Sequence, residues 1–274
     1  MEPIPIEITC EGDCMHGRFF PAMGVENPVT MLFVPGWPAD PEDFLGLGPR
    51  LSQQGINVTE MIPRGQQASE GIYTHFNALK DIGSTLTWLK QSGTQAPFKV
   101  DRAKLVLAGY SNGGGLAMAY AASDPGVRYL VSCAANDFGQ FAREVVHHRT
   151  VAKNIRMEEV LGYLWSTQAP IGSVRFDPEP VLQELINHPD VFGLRENAGK
   201  LADRSILMFG GWEDQGPTIE NYQLPLYRAL KAKGAQKVTF IVYHTTHNFG
   251  NMRERLAADI VEWIHQQNFD DPTN

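Results

Sequence analysis

The stretch Leu105-Val106-Leu107-Ala108-Gly109-Tyr110-Ser111-Asn112-Gly113, continued by Gly114-Gly115-Leu116-Ala117-Met118-Ala119-Tyr120, reads as strand, sharp turn and helix with a serine at the apex. The spacing has a physical cause. A serine on a strained strand-to-helix turn holds its hydroxyl clear of the backbone, and flanking glycines remove the Cβ atoms that would collide there. The next helix aims free N–H groups at developing negative charge. Gly-x-Ser-x-Gly fixes only three residues and recurs by accident in roughly one chain in ten of this length. The weight therefore rests on context: whether an acid and a histidine come later in suitable places. Without them the turn is only a tight packing device.

Working outward, Thr30–Val34, Ile56–Ile62, Lys104–Ala108, Arg128–Cys133, Ser205–Phe209 and Val238–Val242 are short apolar runs. Such runs fit strands buried on both faces of a sheet. Ile4–Cys10 alternates, and Arg18–Pro21 reads as its hairpin partner. Between the runs lie helical patterns at Phe44–Gln54, His75–Lys90, Ser111–Ala122, Thr218–Lys233 and Arg253–Gln266. Strands alternating with helices predict an α/β fold: a mainly parallel, doubly wound sheet flanked by helices.

One segment breaks the alternation. Residues 137–200 carry helical patterns and many large rings, among them Phe138, Phe141, Tyr163, Trp165, Phe176 and Phe192, but no convincing strand. The expectation is a core domain formed by residues 1–136 and 201–274, with 137–200 inserted as a helical lid. The alternative is a pair of helices packed on the sheet edge. Tyr163 and Trp165 are candidate substrate-binding residues in that lid.

The chain has 274 residues, 43% of them hydrophobic, and a net charge of −8. These values allow a large core and argue against nucleic acid or an anionic membrane as partner. The first residues, Met1-Glu2-Pro3-Ile4-Pro5, lack the pattern of a secretory signal. No apolar run approaches a membrane span. Three cysteines do not make a disulfide framework, so free thiols in a reducing cytoplasm are expected. Oligomeric state is not legible.

Two carboxylates compete as the acid. Asp214 and Glu213 both follow the run Ile206-Leu207-Met208-Phe209, in Gly210-Gly211-Trp212-Glu213-Asp214-Gln215-Gly216-Pro217. Loops at the carboxyl ends of parallel strands are where such sheets build sites. Two histidines compete as the base. His247 and His244 both follow the strand ending at Val242, and His247 lies nearer the last helix. The two histidines also suggest a metal pair, but no third ligand is evident nearby.

The order Ser111, Asp214, His247 resembles that of the α/β-hydrolase superfamily. Other segments carry the resemblance. Pro35-Gly36-Trp37-Pro38, with Phe44 downstream, is similar to the oxyanion loop, though Pro35 replaces the usual histidine. Arg64-Gly65 and Ser69-Glu70-Gly71 resemble the segment after the next strand, Gly211-x-x-Asp214 with Pro217 the acid loop, and His247-Asn248-Phe249 the histidine loop. The likeness runs from about Val29 to Trp263, leaves the lid unmatched, and is nearest the prolyl-oligopeptidase-like and dienelactone-hydrolase-like branches. It implies Ser111 as nucleophile, His247 as base, Asp214 rather than Glu213 as orienting acid, and the backbone N–H groups of Trp37 and Asn112 as oxyanion donors. Trp37 would also wall the acyl pocket. No cofactor or metal is implied. The expected activity is hydrolysis of a small carboxylic ester. Amide or peptide cleavage is the nearest alternative, and a non-catalytic binding protein on the same fold is a third.

Overall fold

A computed structural model of the chain describes residues 2–91, 98–151 and 174–269. Tyr163 and Trp165, the two lid candidates, lie outside the described residues. Eight strands form one sheet in the order β1-β2-β4-β3-β5-β6-β7-β8. They are β1 (Ile4–Cys10), β2 (Asp13–Phe20), β3 (Thr30–Val34), β4 (Asn57–Met61), β5 (Leu105–Tyr110), β6 (Tyr129–Cys133), β7 (Ser205–Gly211) and β8 (Val238–Tyr243). β1 and β2 run antiparallel, and the other neighbours from β4 to β8 are parallel.

The parallel strands β3, β4, β6 and β7 are buried at every residue. Their side chains alternate between two cores. In β3, Leu32 and Val34 join one apolar layer and Met31 and Phe33 the other. The first layer packs under α2 (His75–Lys90), α3 (Asn112–Ser123), α5 (Pro178–Asn187) and α6 (Leu224–Ala232). The second packs under α1 (Leu47–Gln53) and α7 (Arg253–His265). A further helix, α4 (Phe138–Val151), follows β6. Among the described residues of 137–200, only Val174 pairs with β structure, as an isolated bridge to Gln66. No helix of the described residues is long and apolar enough to cross a membrane.

Three boundaries differ from the sequence reading by three residues or more, each for a local reason. β2 runs from Asp13 rather than Arg18, because the polar residues that hide the pattern, His16 and Arg18, share the less buried face with Cys14, while Met15, Gly17 and Phe19 face the core. The helix expected over Phe44–Gln54 is a 3-10 turn, Pro41–Phe44, followed by α1. Leu45 and Gly46 between them both take left-handed backbone, at φ 55 and φ 61. The helix expected over Thr218–Lys233 opens with a π-turn, Ile219–Gln223. Pro225 has no N–H to give the carbonyl of Asn221, which accepts instead from the Arg195 guanidinium.

The Arg64-Gly65 segment proves to be a structural clamp. Arg64 is 3% exposed and donates through N and Nε to the Asp81 carboxylate, at 2.9 and 2.6 Å, with Glu11 3.1 Å from its Nη1. This ties the loop after β4 to α2 and to the β1–β2 hairpin. Breaking a buried pair from one side is costly, although Glu11 stays beside this guanidinium. Asp81→Ala is therefore expected to lower stability by about 3 kcal/mol, the low end for such a loss, read as a fall in the urea midpoint at unchanged slope.

Candidate active site

β3 and β5 are neighbours, yet the chain leaves them in opposite directions across the sheet. Their carboxyl ends thus form a switch point, where sheets of this kind open a crevice. The loop after β3 brings Trp37, and the turn after β5 brings Ser111. The next strands along the sheet, β6, β7 and β8, deliver Asn136, Asp214 and His247.

Ser111 sits at φ 54 and ψ −116, a backbone state that costs a non-glycine residue about 1–3 kcal/mol. The neighbourhood holds it there. Ser111 N–H donates to the Cys133 carbonyl at 2.8 Å, and the Ser111 carbonyl accepts from Asn136 and Gly115. A Cβ on Gly109 would lie 2.3 Å from the Gly113 carbonyl oxygen, and one on Gly113 2.2 Å from that of Pro35. The turn therefore closes this tightly only with glycine at both places. α3 can sit against the sheet because its inner turns are Gly113, Gly114, Gly115, Ala117 and Ala119, all buried.

His247 bridges the serine and the acid. Its Nε2 is 2.9 Å from Ser111 Oγ, and its Nδ1 is 2.7 Å from Asp214 Oδ2. Asp214 is 5% exposed, and its other oxygen accepts from Gly216 N–H at 2.8 Å. A carboxylate held at both oxygens fixes the imidazole with Nδ1 protonated and Nε2 free to accept. Phe249, fully buried and in ring contact with Tyr110 and Tyr243, plugs the histidine loop into the core two residues later. The Tyr110 ring also backs the imidazole, at 5.0 Å between centroids. The competing pair is elsewhere. Glu213 and His244 face each other at the surface, 3.4 Å apart, with 49% and 87% of their side chains exposed.

The acid and histidine loops are joined by main-chain bonds. Trp212 N–H donates to the Tyr243 carbonyl and Glu213 N–H to that of Thr245. Trp37 lies across the cleft on the loop after β3. Asn112 is the first residue of α3, so its N–H has no carbonyl within the helix to bind.

Two contributors escaped the sequence reading. Tyr73 OH donates to Asn112 Oδ1 at 3.0 Å, which fixes the side chain next to the serine. Burial pushes the Tyr73 hydroxyl well above the usual range, so it stays a donor. Asp43 lies under the Trp37 loop, where its carbonyl accepts from Gly36 N–H and its carboxylate from Asp40 N–H. Burial, then repulsion from Asp40, pushes the Asp43 carboxyl up to about 6, and His247 is near enough to draw it partly back. The Asp40-Pro41-Glu42-Asp43 string signals only a capped turn, which it also is. The Tyr73 contact has no local signal at all.

A cavity of about 200 Å³ opens beside Ser111 and Asn112. Among the described residues six aromatic rings line it: Trp37, Tyr73, His75, Phe138, Phe141 and Phe176. Among the described residues one group has metal-ligand chemistry, Glu7, Cys14 and His16, on the β1–β2 hairpin at the far edge of the sheet. It shares no residue with the cleft.

No family model matches this sequence, and a comparison with curated proteins gives no match. Solved structures do match. The α/β hydrolase GrgF from Penicillium is 17% identical with a TM-score of 0.68, over 97% of this chain and 99% of that one. The Pyrococcus furiosus esterase Pf2001 is 14% identical with a TM-score of 0.67, over 97% and 91%. The Pyrococcus horikoshii acylaminoacyl peptidase is 15% identical with a TM-score of 0.68, over 98% of this chain but 42% of that one. At such identities the likeness speaks for architecture alone. Sheet order, serine turn and these likenesses agree that the chain has the α/β-hydrolase fold.

Proposed function

We propose that the protein is a serine hydrolase that cleaves a small carboxylic ester through an acyl-enzyme. The observation that carries this reading is the continuous chain Ser111 Oγ, His247 Nε2, His247 Nδ1, Asp214 Oδ2, with contacts of 2.9 and 2.7 Å. A serine hydroxyl is a poor nucleophile until a base takes its proton. His247 takes that proton as Oγ bonds to the ester carbonyl carbon, and the buried Asp214 carboxylate stabilises the imidazolium. The carbonyl oxygen becomes an oxyanion held by the N–H groups of Trp37 and Asn112. The tetrahedral intermediate collapses, the alkoxide leaves with the proton from His247, and the acyl group stays on Ser111. Water then repeats the sequence, giving up a proton to His247 and releasing the carboxylic acid and free serine.

The described elements at the two ends of 137–200 favour a lid. α4 supplies Phe138 and Phe141 to the cavity, and α5 supplies Val181, Leu182 and Leu185. Cysteines 10, 14 and 133 are unpaired, which suits a reducing cytoplasm.

A fluorophosphonate should label Ser111 stoichiometrically and abolish ester turnover. A folded protein that takes up no label would refute the reading and favour a binding role. The likeness to an acylaminoacyl peptidase keeps amide cleavage as the second reading. Aminoacyl amides turned over faster than matched esters would promote it.

Asp43 gives a pH prediction. Above about 6 its carboxyl is ionised, and that negative charge favours the imidazolium over the neutral base. Asp43→Asn removes the charge. The acid limb of the kcat/KM profile, where His247 takes up a proton, is then expected to move to lower pH. A shift to higher pH would contradict an electrostatic coupling between Asp43 and the base.

A further inference from the structure

The cavity beside Ser111 has a definite side. In the proposed reaction the leaving oxygen takes its proton from His247 Nε2, so the alcohol must lie toward the histidine loop. The cavity is lined by Ser111, Asn112 and Trp37, but by no residue of the acid or histidine loops. It therefore lies on the acyl side of the scissile bond.

Its lining sets the chemistry of what fits. The rings are in mutual contact. Trp37 meets Phe176 edge-on at 5.3 Å and Tyr73 at 6.3 Å, while His75 meets Tyr73 at 5.6 Å and Phe138 at 5.0 Å. Val181, Leu182 and Leu185 of α5 supply the remaining apolar wall. Aromatic walls pair with an aromatic guest in edge-on or offset contacts. Size narrows the choice. An apolar cavity of about 150 Å³ takes one benzene ring, so about 200 Å³ is filled by a ring and a short spacer, and a long alkyl chain would overrun the described walls. Charge narrows it further. Among the described residues no Lys, Arg, Asp or Glu side chain lines the cavity, so a second carboxylate or an ammonium on the acyl group would be buried with no countercharge from such a side chain.

We propose that this cavity is the acyl pocket and selects an uncharged acyl group built on a single aromatic ring with a short spacer, of the arylalkanoyl or cinnamoyl type. The proposal rests on the serine-hydrolase reading and deepens it.

The test uses the full chain and 4-nitrophenyl esters, so that the leaving group stays constant while the acyl group changes. The 3-phenylpropanoyl ester is expected to exceed the acetyl ester in kcat/KM by roughly 10- to 100-fold. The dodecanoyl ester and the hemisuccinate are expected to fall below the acetyl ester. Leu182→Trp, which fills the pocket, should reduce the phenylpropanoyl-to-acetyl ratio at least tenfold. Leu185→Ala, the variant to use if the tryptophan does not fold, should widen acceptance toward larger bicyclic acyl groups. Fluorophosphonate labelling on the same preparations separates two failures. Labelled Ser111 with turnover of acetyl ester but no aryl preference, or with a preference for the long or charged acyl group, overturns the pocket assignment and leaves the hydrolase standing. Absent labelling with no turnover of any ester overturns the functional reading, and the pocket assignment with it.

Discussion

Ser111→Ala is expected to lower kcat for a good ester by about 10⁶-fold and to leave no site for a fluorophosphonate. The size comes from how the groups depend on one another. Without Oγ, His247 has no proton to take and Asp214 has no imidazolium to stabilise, so removing the serine costs about as much as removing all three. What remains is binding and the two main-chain donors, about 10³–10⁴ over water. The fold should be indifferent to the change. The side chain contributes one hydrogen bond, to His247, and the backbone at φ 54 is held by main-chain bonds that alanine keeps. The melting temperature should therefore stay within a few degrees of the parent. Retained turnover in a folded alanine variant would remove Ser111 from the chemistry.

Asp214→Asn is expected to cut kcat by about 10⁴-fold. The carboxylate is buried, with one oxygen accepting from Gly216 N–H and the other facing His247 Nδ1. An asparagine there can keep its carbonyl on Gly216 and turn its NH₂ group toward the imidazole. Nδ1 must then accept, the ring proton moves to Nε2, and Nε2–H faces the serine hydroxyl it was meant to deprotonate. Geometry survives while the tautomer is wrong. Glu213→Gln and His244→Ala provide the contrast. Both residues lie at the surface, 3.4 Å apart, and touch neither Ser111 nor His247. Their replacement should alter kcat by less than about threefold, the scale of an exposed pair. A larger loss at Glu213 than at Asp214 would reverse the assignment.

Much of this arrangement is legible in the sequence because the parallel strands speak plainly. β3, β4, β6 and β7 are short apolar runs, since both of their faces meet a core. The serine turn is legible because two glycines are required where backbone approaches backbone. The acid is harder to read. Glu213 and Asp214 are adjacent with the same local signals, and only the fold turns one inward and the other out. What stays hidden depends on partners far along the chain. Asp81 sits on the buried face of α2, where a polar residue looks misplaced until Arg64 is seen across it. Asp43 looks like a cap. Tyr73 finds Asn112 across 39 positions of sequence. A start marked by Pro225 looks like a helix until the missing N–H is traced to the Asn221 carbonyl.

The rungs from Trp212 to Tyr243 and from Glu213 to Thr245 extend the β7–β8 pairing past the strands and into the loops that carry Asp214 and His247. Carboxylate and imidazole thus ride on one ribbon, whereas the hydroxyl belongs to a different strand two places away. Thermal breathing that parts the two backbones carrying that pair must first unzip the ribbon from its end. Backbone looseness in the constellation accordingly falls at the junction between ribbon and elbow, the 2.9 Å contact through which the proposed reaction would begin.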